Sequence, residues 1–201
     1  MLYPCTLILW STAVHMNNVY IALLHYPVYN KKGDVVTTAV TNMDIHDISR
    51  AAKTYGVKRF YIITPLEQQR QFVRRILHHW QEGYGACYNP WRKKALDITS
   101  LKSTLEDAVR EIKEESEANV NLVATSASPR GESSRFEELR EKISENKEAY
   151  LLVFGTGWGI ADEVIDKSDY FIEPIRGPSN YNHLSVRSAV SIVLDRLFGE
   201  R

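Results

Sequence analysis

Cysteine is scarce in this chain: there are two in 201 residues, Cys5 and Cys87, far apart, with no CxxC pair and no Cys/His ligand spacing. That excludes a disulfide framework, argues against a structural zinc, and fits a reducing, cytoplasmic setting. An excess of one charge is also missing, because 25 Lys and Arg balance 25 Asp and Glu. No global field draws the chain to nucleic acid or to an acidic membrane, so any polyanion must be held by a local patch. No apolar run reaches the roughly 20 residues of a spanning helix. Residues 1–15, MLYPCTLILWSTAVH, are apolar but lack the basic start of a signal peptide. They read as an N-terminal extension, ahead of a single domain over 16–201. Hydrolase and metalloenzyme signatures are lacking too: there is no GxSxG, HExxH or P-loop, and His78 and His79 are neighbours on a helix and point in different directions. No metal is expected.

What is present is a clear alternation of elements. VYIALLH from Val19, RFYIIT (Arg59 to Thr64), NLVAT (Asn121 to Thr125) and AYLLVF (Ala149 to Phe154) are near-continuous apolar runs, which suit strands buried on both faces. Between them lie helical patterns. Asp44 or Asn42 can cap DIHDISRAAKTY, which Gly56 closes; Pro65 opens a helix that ends at Gly83; SLKSTLEDAVREIKEES and SRFEELREKISEN supply two more, and a last helix sets Leu184, Val186, Ala189, Val190, Val193, Leu194 and Leu197 on a broad apolar face. The expected fold is α/β, a parallel sheet flanked by helices. Irregular stretches at Tyr26 to Asp34, Gly83 to Ala95, Ser126 to Ser133 and Arg176 to Asn182 are where a site is expected.

The sharpest local feature is LLVFGTGWGIAD, where a buried strand runs into Gly155, Gly157 and Gly159 and then into first-turn helix residues. One glycine makes a turn; three at alternate positions suggest main chain left bare for a ligand. A dinucleotide fold is the obvious competitor, with Glu173 near the position of its ribose acid. Against it, Ile160 stands where the third glycine of GxGxxG belongs, and under fifty residues remain for a second mononucleotide half.

Three segments in order, TNMDIHDISRAAKTYGVKRFYII, YLLVFGTGWGIADEVIDKSDYFIEPI and NHLSVRSAVSIVLDRLFG, resemble the three signature regions of the SPOUT class of S-adenosylmethionine-dependent RNA methyltransferases. More narrowly the chain looks like the stand-alone bacterial family related to the tRNA guanine-N1 methyltransferase, and the resemblance covers about Asn17 to Phe198. It implies a C-terminal trefoil knot whose walls bind S-adenosyl-L-methionine, here Thr125, Phe154, Gly155, Thr156, Gly157, Ile172, Glu173, Pro174, Asn182, Leu184 and Val186. It also implies a homodimer, with the helix from Asp44 and the C-terminal helix as contact surfaces. Arg50 falls where many members carry their first-motif arginine, which implies a catalytic role for it. On the residues alone it reads as a surface partner of Asp47 at i−3. Asp44 and His183 stand where Asn is frequent, and a carboxylate or imidazole could act as a base where an amide could only orient.

Substrate contact needs a cationic surface. A helix carrying Arg70, Arg74, Arg75 and His78 leads into GYGACYNPWRKKA, which combines Tyr84, Tyr88 and Trp91 with Arg92, Lys93 and Lys94; Lys31 and Lys32 make a second basic turn. Cations with aromatics suit structured RNA, tRNA or rRNA, through phosphates and unpaired bases. The expected function is methyl transfer to such an RNA. The alternative from another class is a SPOUT-like protein that binds RNA or cofactor without turnover.

Overall fold

A computed structural model describes residues 18–129 and 132–200; the proposed extension, residues 1–15, lies outside them. Four fully parallel strands build the centre: β1 (Val19–Leu24), β4 (Arg59–Ile63), β6 (Val120–Ala124) and β7 (Ala149–Gly155). They coincide with the four apolar runs. β5 (Thr99–Lys102) and β8 (Tyr170–Phe171) complete a six-stranded sheet in the order β5-β4-β1-β7-β6-β8, all pairs parallel. A two-residue hairpin, β2 (Val28–Tyr29) with β3 (Val35–Val36), stands apart from it.

Alternate residues of the strands face opposite layers. Ile21, Leu23, Phe60, Ile62, Tyr150, Leu152 and Phe154 meet helices α1 (Asn42–Thr54), α2 (Glu67–Gln81), α4 (Pro90–Leu96), α6 (Phe136–Glu145) and α8 (Val186–Phe198). Tyr20, Ala22, Leu24, Tyr61, Leu151 and Val153 meet α5 (Leu105–Ser116) and α7 (Asp162–Ile165). The sheet is therefore covered on both sides, which explains the continuous apolar runs.

The structure corrects four readings of the sequence. Thr41, rather than Asp44 or Asn42, caps α1, its hydroxyl accepting from the Asp44 N–H. The pattern SLKSTLEDAVREIKEES is not one helix: Ser100–Lys102 belongs to β5, and Thr104 caps α5 after it. Gly83 to Ala95 is no loop but two short helices, α3 (Tyr84–Tyr88) and α4, with Asn89 capping the second and Pro90 at its first position. Leu184 lies ahead of α8, whose cap is Ser185, and is 46% exposed instead of part of its apolar face.

Candidate functional site

The chain leaves β1 and β7, which are neighbours, toward opposite faces of the sheet: α1 packs on one layer and α7 on the other. Such a divergence at the C-terminal ends of parallel strands is where α/β sheets form ligand crevices. The glycine turn sits there. Gly157 and Gly159 are left-handed, at φ +60 and +112. A Cβ on Gly157 would come within 2.8 Å of the Tyr29 carbonyl oxygen and 3.3 Å of Thr38 Cγ2; one on Gly155 would strike Ile160 at 2.7 Å; one on Gly159 would meet nothing within 4 Å. Two of the three glycines thus admit neighbouring protein, and only Gly159 opens outward. β2 clamps the turn: the Trp158 N–H donates to the Tyr29 carbonyl, and the Tyr29 N–H to the Gly159 carbonyl, both at 2.9 Å. Trp158, unremarked in the sequence reading, is 60% exposed beside these glycines.

The other residues assigned to cofactor binding collect along the same edge. Thr125, just after β6, donates its hydroxyl and N–H to the Val153 carbonyl. Ile172 is buried and its N–H bonds the Ala124 carbonyl, while the Glu173 N–H bonds the Ser134 carbonyl. The Glu173 carboxylate accepts from the Phe136 N–H and so serves the start of α6. Asn182 donates its amide to the Ala127 carbonyl at 2.6 Å, which brings the 172–185 segment against the loop after β6. Pro174 is buried, Val186 half-buried, and His183 is exposed with its ring edge-on to Tyr181. A shallow hollow lined by Lys113, Glu117, Asn119, Lys147 and Glu148 lies at the opposite end, where β6 and β7 begin.

Asp44 is buried, and both carboxylate oxygens are engaged: Oδ1 accepts from Arg187 Nη1 at 2.9 Å and Oδ2 from the Thr41 hydroxyl at 2.6 Å. Arg187 also reaches Asp47 at 3.4 Å. This joins the start of α1 to the start of α8, 143 residues later. The Asp47 partner expected for Arg50 is therefore taken by Arg187. Arg50 is exposed, and among the described residues it makes no ion pair.

His25, at the end of β1, is fully buried. Desolvation pushes its pKa down to about 4, against an opposing pull from Asp44. The folded value lies below the unfolded 6.5, so neutral His25 contributes its full stability above pH 6.5. As pH falls from 6.5 through 4 the unfolded chain takes up the proton first, and about 3 kcal/mol is lost. Chemical denaturation at pH 7 and pH 4.5 is expected to show this slope, and His25→Asn to flatten it.

The cationic surface divides. Arg74 is tied to Glu67, as is Arg70, and their hydrogen bonds hold that carboxyl down to about 2. Lys93 is bridged to Asp97. Arg92 lies over the Trp80 ring at 4.8 Å and Lys94 over Trp91 at 4.5 Å; Tyr84 and Tyr88, one helical turn apart, stack at 5.9 Å. Tyr84, Tyr88 and Trp91 are each over 70% exposed. His46 on α1 packs edge-on to Trp80, and its pKa is lowered by burial and then by the charges of Arg92 and Arg50. Arg50, on α1, and Arg92, on α4, thus both act on His46. Lys31 and Lys32 are exposed in the β2–β3 turn.

Among the described residues no group of three His, Cys, Asp or Glu could hold a metal, and no helix is long and apolar enough to cross a membrane. Residues 18–199 match the family described as SAM-dependent RNA methyltransferase. An uncharacterized protein of Aquifex aeolicus is 40% identical over 181 residues, 90% of this chain and 88% of that protein. The tRNA (guanine-N(1)-)-methyltransferase of Oleidesulfovibrio alaskensis is 42% identical over 183 residues, 91% of this chain but 42% of that protein. The chain thus spans less than half the length of that relative. The solved structure of the A. aeolicus TrmH/SpoU tRNA modifying enzyme matches with a TM-score of 0.54 at 18% identity, over 90% of this chain and 74% of that one, a likeness of fold.

Proposed function

The chain belongs to the S-adenosylmethionine-dependent RNA methyltransferase family, and from that premise we propose that its methyl donor lies against the glycine turn and the 172–186 segment, and that its acceptor is a tRNA. The family match across residues 18–199 is the observation that carries this reading. It favours an enzyme over a protein that only binds.

The residues present fit the donor. Gly159 offers main chain with open space beside it, and Leu184 an exposed apolar face, the mixture that nucleoside pockets use. Thr125, the main chain of Phe154 to Gly157, Ile172 to Pro174, Asn182, Leu184 and Val186 bind and orient the adenosyl part. Bound there, S-adenosylmethionine supplies a methyl group already activated by its sulfonium, so the protein's task is alignment. Of the two candidate bases His183 is exposed, whereas both Asp44 oxygens are engaged. The proposal therefore gives proton removal to His183 and the holding of α8 to Asp44. Arg50, exposed and unpaired, holds an RNA phosphate near the reacting nucleotide.

The tail is read as a trefoil knot. Supporting this, the segment after β8 is tied back to the stretch after β6, Glu173 to Ser134 and Asn182 to Ala127, before α8 packs on the α1 and α6 layer. The free flanks of α1 and α8 are the surfaces for a second copy, and the setting is cytoplasmic.

Two outcomes test the reading. In a filter assay with radiolabelled donor and bulk bacterial tRNA, the protein transfers methyl groups, and Arg50→Ala slows transfer about a hundredfold, the effect typical of one lost charge-stabilising donor. Its melting temperature is unchanged, because the side chain is exposed and makes no ion pair among the described residues. Unchanged transfer would remove Arg50 from the site; donor binding without any transfer would support the non-catalytic reading. Trp91→Ala is expected to weaken tRNA binding about tenfold in fluorescence anisotropy, the worth of one stacked base, and to leave donor affinity alone.

A further inference from the structure

We propose that His25 is the positioning residue of the glycine turn and acts as its Nδ1–H tautomer. It is placed by its own main chain: its N–H donates to the Ile63 carbonyl and its carbonyl accepts from the Thr38 N–H, each at 2.9 Å. The ring then starts a chain of hydroxyls. Nδ1 lies 3.1 Å from Thr38 Oγ1, which lies 2.5 Å from Thr156 Oγ1, which lies 2.9 Å from the Leu24 carbonyl oxygen. Three contacts tie the end of β1, the strand-to-helix segment before α1 and the turn after β7.

Proton accounting fixes the direction of every link. A carbonyl can only accept, so Thr156 donates to Leu24; its hydroxyl proton is then used, so Thr38 donates to Thr156; the Thr38 proton is used in turn, so His25 must donate from Nδ1. Nε2 is left as a buried acceptor, and among the described residues it has no partner. A charged ring would put a second N–H in that dry position, and burial disfavours it accordingly. Thr156 carries this chain into the backbone of the turn, because its own N–H also donates to the Leu24 carbonyl, at 3.2 Å. His25 itself is fully buried, so it acts through Thr38 and Thr156 and does not touch RNA or donor. This role rests on the reading that the turn holds the methyl donor.

The test uses the intact protein, with S-adenosylhomocysteine as the probe. Nitrogen-15 NMR at pH 7 is expected to show His25 protonated at Nδ1 and bare at Nε2. By calorimetry well below the melting temperature, His25→Phe is expected to weaken S-adenosylhomocysteine about tenfold, the worth of a lost buried hydrogen bond. His25→Asn, which keeps an N–H near the Nδ1 position, recovers most of that affinity. A merely structural role would not separate these two variants at equal foldedness. Thr156→Val cuts the same chain from its far end, so its loss and that of His25→Phe do not add. An Nε2–H tautomer, or wild-type affinity in both His25→Phe and Thr156→Val, would overturn the proposal. A wild-type protein that binds no S-adenosylhomocysteine would instead overturn the reading of the turn, and the role of His25 with it.

Discussion

Gly157→Val is expected to abolish measurable S-adenosylhomocysteine binding, a loss of at least about a hundredfold. Two effects combine. At φ +60 a β-branched residue is held in a region that costs about 1–3 kcal/mol. Its Cβ also points at backbone, the Tyr29 carbonyl at 2.8 Å, which cannot swing away as a flexible side chain could. The turn must therefore lift off β2, breaking the paired bonds between Tyr29 and residues 158 and 159 and moving the main chain that faces the donor. Lys113→Ala is the control, because its side chain is exposed and lies at the opposite end of the sheet from the turn. Calorimetry on both variants, with circular dichroism to show that each is folded, checks the prediction. Wild-type affinity in Gly157→Val would move the donor elsewhere.

Arg187→Leu carries the second large effect, a loss of about 2–4 kcal/mol, because among the described residues it leaves the buried Asp44 carboxylate with only the Thr41 hydroxyl for a partner. For a chain of this size that corresponds to a fall in melting temperature of about 5–12 °C. Asp44→Ala should cost less, since Arg187 is part-exposed and keeps Asp47 at 3.4 Å. The double variant should be milder than the sum of the two, since no charge is then stranded. Because Arg187 lies one residue beyond Val186, its loss also loosens the start of α8, and donor affinity should fall with stability. Differential scanning calorimetry of the three variants tests this. A single variant Arg187→Leu as stable as wild type would show that the pair holds nothing.

Much of the fold was legible because burial on both faces writes itself plainly into sequence. Strands β1 and β7 are apolar almost throughout, and β4 and β6 are interrupted only by Arg59 and Asn121. The short, half-exposed β5, TSLK, lacks such a run, and its polar residues blend into the start of α5. The helices α3 and α4 were hidden for another reason: five and seven residues give too little periodicity, and Gly83, Gly85 and Pro90 read as loop signals. Of the site, the glycine turn was visible, but its use was only half so. Nothing local says that Gly157 makes room for Tyr29 while Gly159 faces open space. Partnerships across the chain were invisible, since Arg187 meets Asp44 and Thr38 meets Thr156 only after folding. His25 left a single trace, a histidine closing an otherwise apolar strand.

The most direct measurement is an amide NMR titration of the labelled protein with S-adenosylhomocysteine. The account predicts shifts concentrated at Thr125, Phe154 to Gly159, Ile172, Glu173 and Asn182 to Val186. Shifts confined to the opposite end of the sheet, around Lys113, Asn119 and Lys147, would contradict it.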